Sequence, residues 1–299
     1  MQSAEKGSII EQRRAYMYPY ELFLDITLYD ILVMLGVIAA FAVFMLYADR
    51  IKLPKQIQLL VLISGAVGVA LGFAAAGLMQ SIYFYIENGV FKWQGMTFYG
   101  GLVGGAAFFL GTYFLVGKLW LKKSETPKLH KEYAMQTFGI VICAVTVAHA
   151  IGRIGCLTAG CCHGETFAQK RWYTLPVHHI SESGELLFIE HAVPVPLFET
   201  LFLLALFALL SWRVFKKKGD ALPMYMVLYG VWRFCIEYAR ADDRGETLFN
   251  FLTPSQLTAV LTVTGGIVLF VLYYKVIKKR CSTHFVQSEE SCEENVHDS

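Results

Sequence analysis

Seven apolar runs with almost no charge constrain this chain more than any other feature, because each is about as long as a bilayer is thick. Crossing about 30 Å of hydrocarbon takes roughly 17 to 25 apolar residues in a helix. Runs of that order lie at Ile31 to Ala48, Ile57 to Ile86, Trp93 to Gly117, Tyr133 to Gly152, Ala192 to Trp212, Ala221 to Glu237 and Leu252 to Tyr274. They are continuous rather than alternating, which favours helices over a barrel. The second run is longer than one span needs and is expected to end near Gln80. With 56% hydrophobic and 17% charged residues in 299, the chain must place much of its surface in lipid. The first apolar run follows a polar leader and is long enough to remain as a span rather than be cleaved. The expected fold is all-α, a polytopic membrane protein of seven transmembrane helices. Residues 1–280 would form a single membrane domain, and the acidic segment 281–299 a disordered tail.

The basic residues orient the spans. Sixteen of the 26 lie in the loops after spans one, three and five and in the segment after span seven; eight lie on the opposite side. Lys and Arg accumulate on the cytoplasmic side. The N-terminus is therefore expected outside and the C-terminus in the cytoplasm.

Ionisable groups inside spans are expensive, about 2.5 to 3.5 kcal/mol each on insertion scales, so each needs a reason. Span six carries Tyr229, Arg233 and Glu237 at i, i+4 and i+8, on one helical face, and Arg240 follows. An internal Arg233–Glu237 ion pair that holds the bundle is one reading. Depth suggests another. Arg153 sits about 30 Å along the outward-running span four, and Arg233 about 18 Å along span six. Glu199 lies a turn or two below the outer edge of span five, and Tyr99 near the outer end of span three. Four helices thus bring polar groups to similar depth in the outer half of the bilayer, as a bound anion would require. Arginine suits phosphate because its planar fork keeps its charge and donates several directed bonds.

Two segments are rich in small residues. Span three opens with WQGMTFYGGLVGG, in which Gly100, Gly101, Gly104 and Gly105 fit close helix packing. Tyr99 beside them could present its hydroxyl to a site. Span four ends in HAIGRIGCLTAGCCHGE, where glycines including Gly164 let the chain leave its helix and approach a ligand closely. Cys156, Cys161, Cys162 and His163 have no standard zinc spacing, so no metal is expected, although a disulfide between two of the cysteines stays open. Cys143 and Cys235 read as small apolar packing residues.

GRIGCLTAGCCHG resembles the signature of the prolipoprotein diacylglyceryl transferases. Three further blocks agree in order: GMTFYGGLVG from Gly95, PVPLFE from Pro194 and YGVWRFCIEYAR from Tyr229, with Ser255-Gln256 after them. The resemblance covers spans three to seven. It implies transfer of a diacylglyceryl group from phosphatidylglycerol to the lipobox cysteine thiol of a preprolipoprotein, forming a thioether, with glycerol phosphate leaving. It also implies residence in the bacterial inner membrane, no cofactor, and as partners only phosphatidylglycerol, the preprolipoprotein signal peptide and the bilayer. No nucleic acid is expected. By position, Arg153, Gly164, Arg233, Glu237 and Arg240 match functional sites of the family, with Glu199 and Tyr229 as neighbours. Tyr99, Gly100 and Gly101 stand in a third matching block. Well-known members carry histidine where this chain has Tyr99, asparagine where it has Cys156, and an arginine late in span two, where Gly72 to Gly77 offers none. His163 or Glu237 is then the expected base for the attacking thiol. The competing readings are a relative with another acceptor, a phospholipid-binding or translocating protein that transfers nothing, and a redox or metal protein built on the cysteines.

Overall fold

The computed structural model describes residues 14–16, 26–93, 95–122, 128–180, 186–216, 219–241, 252–253 and 255–275. Its helices are α1 (Leu28–Arg50), α2 (Lys55–Asn88), α3 (Phe98–Leu121), the single turn α4 (Leu129–Glu132), α5 (Ala134–Ala159), α6 (Val195–Phe215), α7 (Ala221–Ile236) and α8 (Ser255–Lys275). Each of the seven apolar runs contains one. Among the described residues six of these helices are long and apolar enough to cross a membrane. The exceptions are the single turn α4 and α7, whose 16 residues reach about 24 Å. Large apolar side chains such as Val103, Leu115 and Leu119 on α3 stand 60 to 66% exposed, a surface that suits lipid and not water.

Two expectations need correction. The second span does not stop near Gln80. Nothing in the segment from Ser81 to Asn88 breaks a helix, and α2 ends only where Gly89 adopts φ 70° and returns its N–H to Tyr85 O. The fold is also not all-α. A four-stranded antiparallel sheet, in the order β1-β3-β4-β2, joins β1 (Arg14–Tyr16), β2 (Thr166–Phe167), β3 (Leu175–Ile180) and β4 (Leu186–Ala192). Its strands are rich in Val, Ile, Leu and Phe, too short for spans, and stabilised by cross-strand pairs. His179 stacks on Phe188 at 4.2 Å and meets Glu190 at 3.2 Å. The expected tail, 281–299, lies outside the described residues.

The described residues divide into two compact units. The unit spanning 44–138 is built on the α2–α3 pair. Its seam is made by small residues: a Cβ on Gly68 or Gly72 would lie 3.1 Å from Gly105, and one on Gly104 only 2.5 Å from Ala75 Cβ. Helices can approach that closely only without side chains between them. The unit of 1–43 and 139–299 contains the sheet, the first part of α1, α5 from Gly139, and α6 to α8. Here Gly36 of α1 packs on Ala148 of α5, Thr200 of α6 donates to Ala150 O at 3.4 Å, Phe202 stacks on Trp232 of α7 at 4.3 Å, and Gly230 of α7 packs on Ala259 and Val263 of α8. Cys143 is buried in this unit, whereas Cys235 is exposed, so only the first of them is a packing residue of the interior.

Candidate functional site

The second unit gathers its intramembrane charges around one buried carboxylate. Pro194 precedes α6 and Pro196 lies in its first turn, a position where a missing N–H costs nothing. Glu199 follows in the second turn and is wholly buried. Its Oε2 lies 3.1 Å from Arg153 Nε, and its Oε1 accepts from Tyr229 OH at 2.9 Å. His149, one turn before Arg153 on α5, stands 3.8 Å from the same carboxylate and accepts from Arg153 Nε at 3.3 Å. Its ring meets Tyr229 edge to face at 5.1 Å.

One turn beyond Tyr229, Arg233 makes a second pair. Its Nη1 lies 2.8 Å from Glu237 Oε2, and its Nη2 donates to Ser255 Oγ at 2.8 Å. Thr253 Oγ1 donates to the other oxygen of Glu237 at 2.9 Å. Thr253 also opens α8: its N–H donates to Gln256 Oε1 at 3.1 Å, while the Gln256 N–H donates to Thr253 Oγ1 at 3.2 Å. This reciprocal capping box satisfies two donors at the helix start, and it fixes the residues that hold Arg233 and Glu237.

The loop after α5 closes over the same region. Gly164 donates to Val193 O at 2.9 Å and Val193 donates to Glu165 O at 3.1 Å, extending the β2–β4 ladder to the start of α6. A Cβ on Gly164 would stand 2.5 Å from Ala239 O, so the loop and the turn carrying Glu237 and Arg240 touch backbone to backbone. Gly164→Ala is therefore expected to lose most activity and about 1–3 kcal/mol of stability through overpacking, read as turnover and thermal midpoint. An alanine variant with native values of both would show that this approach is unimportant.

His163 turns its Nδ1 to Gly164 O at 2.9 Å. A carbonyl can only accept, so Nδ1 carries the hydrogen, and the lone pair of the neutral ring is the one on Nε2. Arg240 follows the turn at Glu237, with its N–H on Glu237 O at 3.2 Å. Cys162 interacts with the Cys156 and Cys161 thiols and with the Arg240 guanidinium.

Arg153, His163, Gly164, Glu199, Tyr229, Arg233, Glu237 and Arg240 therefore all lie in this unit. Tyr99, Gly100 and Gly101 lie in the other, on α3. Gly100 and Gly101 face α2 in the small-residue seam, where added Cβ atoms would meet Met79 at 2.8 Å and Ala76 at 3.4 Å. The Tyr99 side chain lies outside the described residues. Sequence reasoning missed His149, whose signal was its place four residues before Arg153 on the same helical face. It also passed over Thr253, two residues before the matching Ser255-Gln256.

Residues 19–272 match the model of the family described as prolipoprotein diacylglyceryl transferase. The chain belongs to that family. It is 31% identical to phosphatidylglycerol–prolipoprotein diacylglyceryl transferase 2 of Clostridium perfringens (strain 13 / Type A) over 179 residues, 59% of this chain and 62% of that protein. It is 28% identical to the phosphatidylglycerol–prolipoprotein diacylglyceryl transferase of Clostridium tetani (strain Massachusetts / E88) over 257 residues, 84% of this chain and 95% of the relative. A third, from Pseudoalteromonas translucida (strain TAC 125), is 29% identical over 71% of this chain and 74% of that protein. With these relatives and its membrane-length helices, this member of the prolipoprotein diacylglyceryl transferase family is a multi-pass membrane transferase of lipoprotein biosynthesis.

Proposed function

We propose that the chain transfers the diacylglyceryl group of phosphatidylglycerol to the lipobox cysteine of a preprolipoprotein, at a site in the outer half of the inner membrane built around Glu199. The observation that carries this is the buried carboxylate that holds Arg153 and Tyr229, one turn from Arg233, in a chain of this family. Seven spans with the N-terminus outside, in one membrane domain, give the site that depth.

In this reaction the peptide thiolate attacks the glyceryl carbon that bears the phosphate oxygen. The S–C bond forms as the C–O bond breaks, and glycerol phosphate leaves with the electron pair. The growing phosphate charge needs fixed cations, and preorganised donors of this kind are the largest source of rate in many enzymes. Arg153 and Arg233 fill that role. Arg240 and Tyr229 position the head group, and Glu199 positions Arg153. Tyr99, by its place in the matching family block, is proposed as a donor to the head group, and Gly100 and Gly101 keep α3 close to α2.

His163 takes the thiol proton on Nε2. Its tautomer supports this choice over Glu237, whose two oxygens are already occupied by Arg233 and Thr253. His163→Ala is expected to lower transfer at least about 100-fold, the lower end for loss of a general base. Full activity of that variant would remove His163 from the role. The reaction itself is tested with radiolabelled phosphatidylglycerol and a lipobox peptide. Label on the peptide cysteine supports it; lipid binding without transfer refutes it.

A further inference from the structure

The cysteines that follow Arg153 have no part in the reaction above, yet the fold draws them together. Helix α5 ends in a Schellman turn: Gly160, at φ 67°, donates to Leu157 O, and Cys161 donates to Cys156 O at 3.2 Å. Cys162 then takes φ 62°, a conformation uncommon for a residue with a side chain. The chain thereby reverses over the last turn of α5, and the Sγ atoms of Cys156, Cys161 and Cys162 all lie within 4.8 Å of one another. Unusual backbone conformations of this kind collect at functional positions.

We propose that Cys156, Cys161 and Cys162 form a three-thiolate site for a single thiophilic d10 cation, Zn(II) or Cu(I). Metal–sulfur bonds of about 2.3 Å in tetrahedral or trigonal geometry set the sulfurs about 3.8 to 4.0 Å apart, so shifts of an ångström or less would close the site. Thiolate ligands select such soft ions. Binding releases three thiol protons as three metal–sulfur bonds form, and no oxidation state changes. A disulfide would join two sulfurs, strand the third and require an oxidant; a cation engages all three.

Charge supports the site. Arg153 Nη1 lies 4.0 Å from Cys156 Sγ, and the Arg240 guanidinium interacts with Cys162. Arg240, with the part of the Arg153 charge that Glu199 leaves over, offsets the excess negative charge of three thiolates. Cys161 is exposed, while Cys156 and Cys162 are half-buried, which leaves one side open for the ion to enter and for water as a fourth ligand. Because Arg153 borders both the cysteines and Glu199, a bound ion would stiffen the helix end that carries it.

The full-length protein, purified in detergent under reductant and stripped with a chelator, would be titrated with Zn(II) against a chromophoric chelator and with Cu(I) against bathocuproine. Either ion is expected to bind one per chain and to raise the thermal midpoint of the wild type. Cys161→Ser, at an exposed position, should fold and lose about 100-fold in affinity, one ligand's share of a thiolate site; the triple serine variant should bind neither ion. The ion that binds more tightly identifies the source. Three results would each overturn the proposal: no stoichiometric binding of either ion, equal binding by the triple variant, or a disulfide at Cys156 in protein alkylated directly in membranes. None of these readouts depends on transfer activity.

Discussion

Replacing Arg153 with lysine is expected to lower diacylglyceryl transfer by about 100- to 1,000-fold, the cost of losing one donor to a developing oxyanion, while the protein stays folded. A lysine keeps the charge but not the geometry. Arg153 uses Nε inward, towards Glu199 at 3.1 Å and His149 at 3.3 Å. Its Nη1 lies beside Cys156 Sγ at 4.0 Å, away from that pair. One guanidinium can therefore satisfy the buried carboxylate and donate to a phosphate at once, whereas a single ammonium must choose. In the buried position it would choose Glu199. The measurement is label transfer to the lipobox peptide beside a thermal midpoint. A lysine variant within a few-fold of wild type would show that Arg153 balances charge and does nothing more.

The second large effect is on stability. Glu199→Ala is expected to cost about 3–5 kcal/mol, because removing one partner of a buried pair leaves the other charge uncompensated. Glu199 is wholly buried, so bulk water does little to screen its pair with Arg153. Glu199→Gln keeps the shape and an acceptor for Tyr229 OH, and should cost less. A cycle with Tyr229→Phe should show coupling of about 0.5–3 kcal/mol, as for residues in one hydrogen-bonded network. Thermal or denaturant unfolding in detergent would measure both. If Glu199→Ala unfolds like the wild type, Arg153 finds another counter-charge and Glu199 is not the centre of the site.

Six membrane-length helices were legible in the sequence because lipid imposes a simple demand: an unbroken apolar run of fixed length must bury its own backbone polar groups in a helix. The Arg233–Glu237 pair was legible from its i, i+4 spacing. The sheet was not. Its strands, Leu175–Ile180 and Leu186–Ala192, are short, and pairing between residues so far apart as Arg14 and Ile180 leaves no local periodicity to read. Boundaries followed the turn chemistry and not the apolar content, which is why Gly89 ends α2 and why the Ala192 end of the fifth run is strand. Within the site, the residues that carry charge were found from the cost of placing them in lipid. His149 and Thr253 escaped because their importance lies in what they touch: Arg153 on one side, Glu237 on the other.

The shared carboxylate has a consequence for turnover. Arg153 never waits as a bare cation, because Glu199 already neutralises much of it. An incoming phosphate does not fill an empty electrostatic well; it competes with a resident anion for the arginine's remaining donors. Under the proposed reaction this moderates the grip on every phosphate alike, and product suffers most, since glycerol phosphate has lost the acyl chains that held the substrate. In that reaction, the carboxylate that weakens the ground state would be what lets the leaving group go.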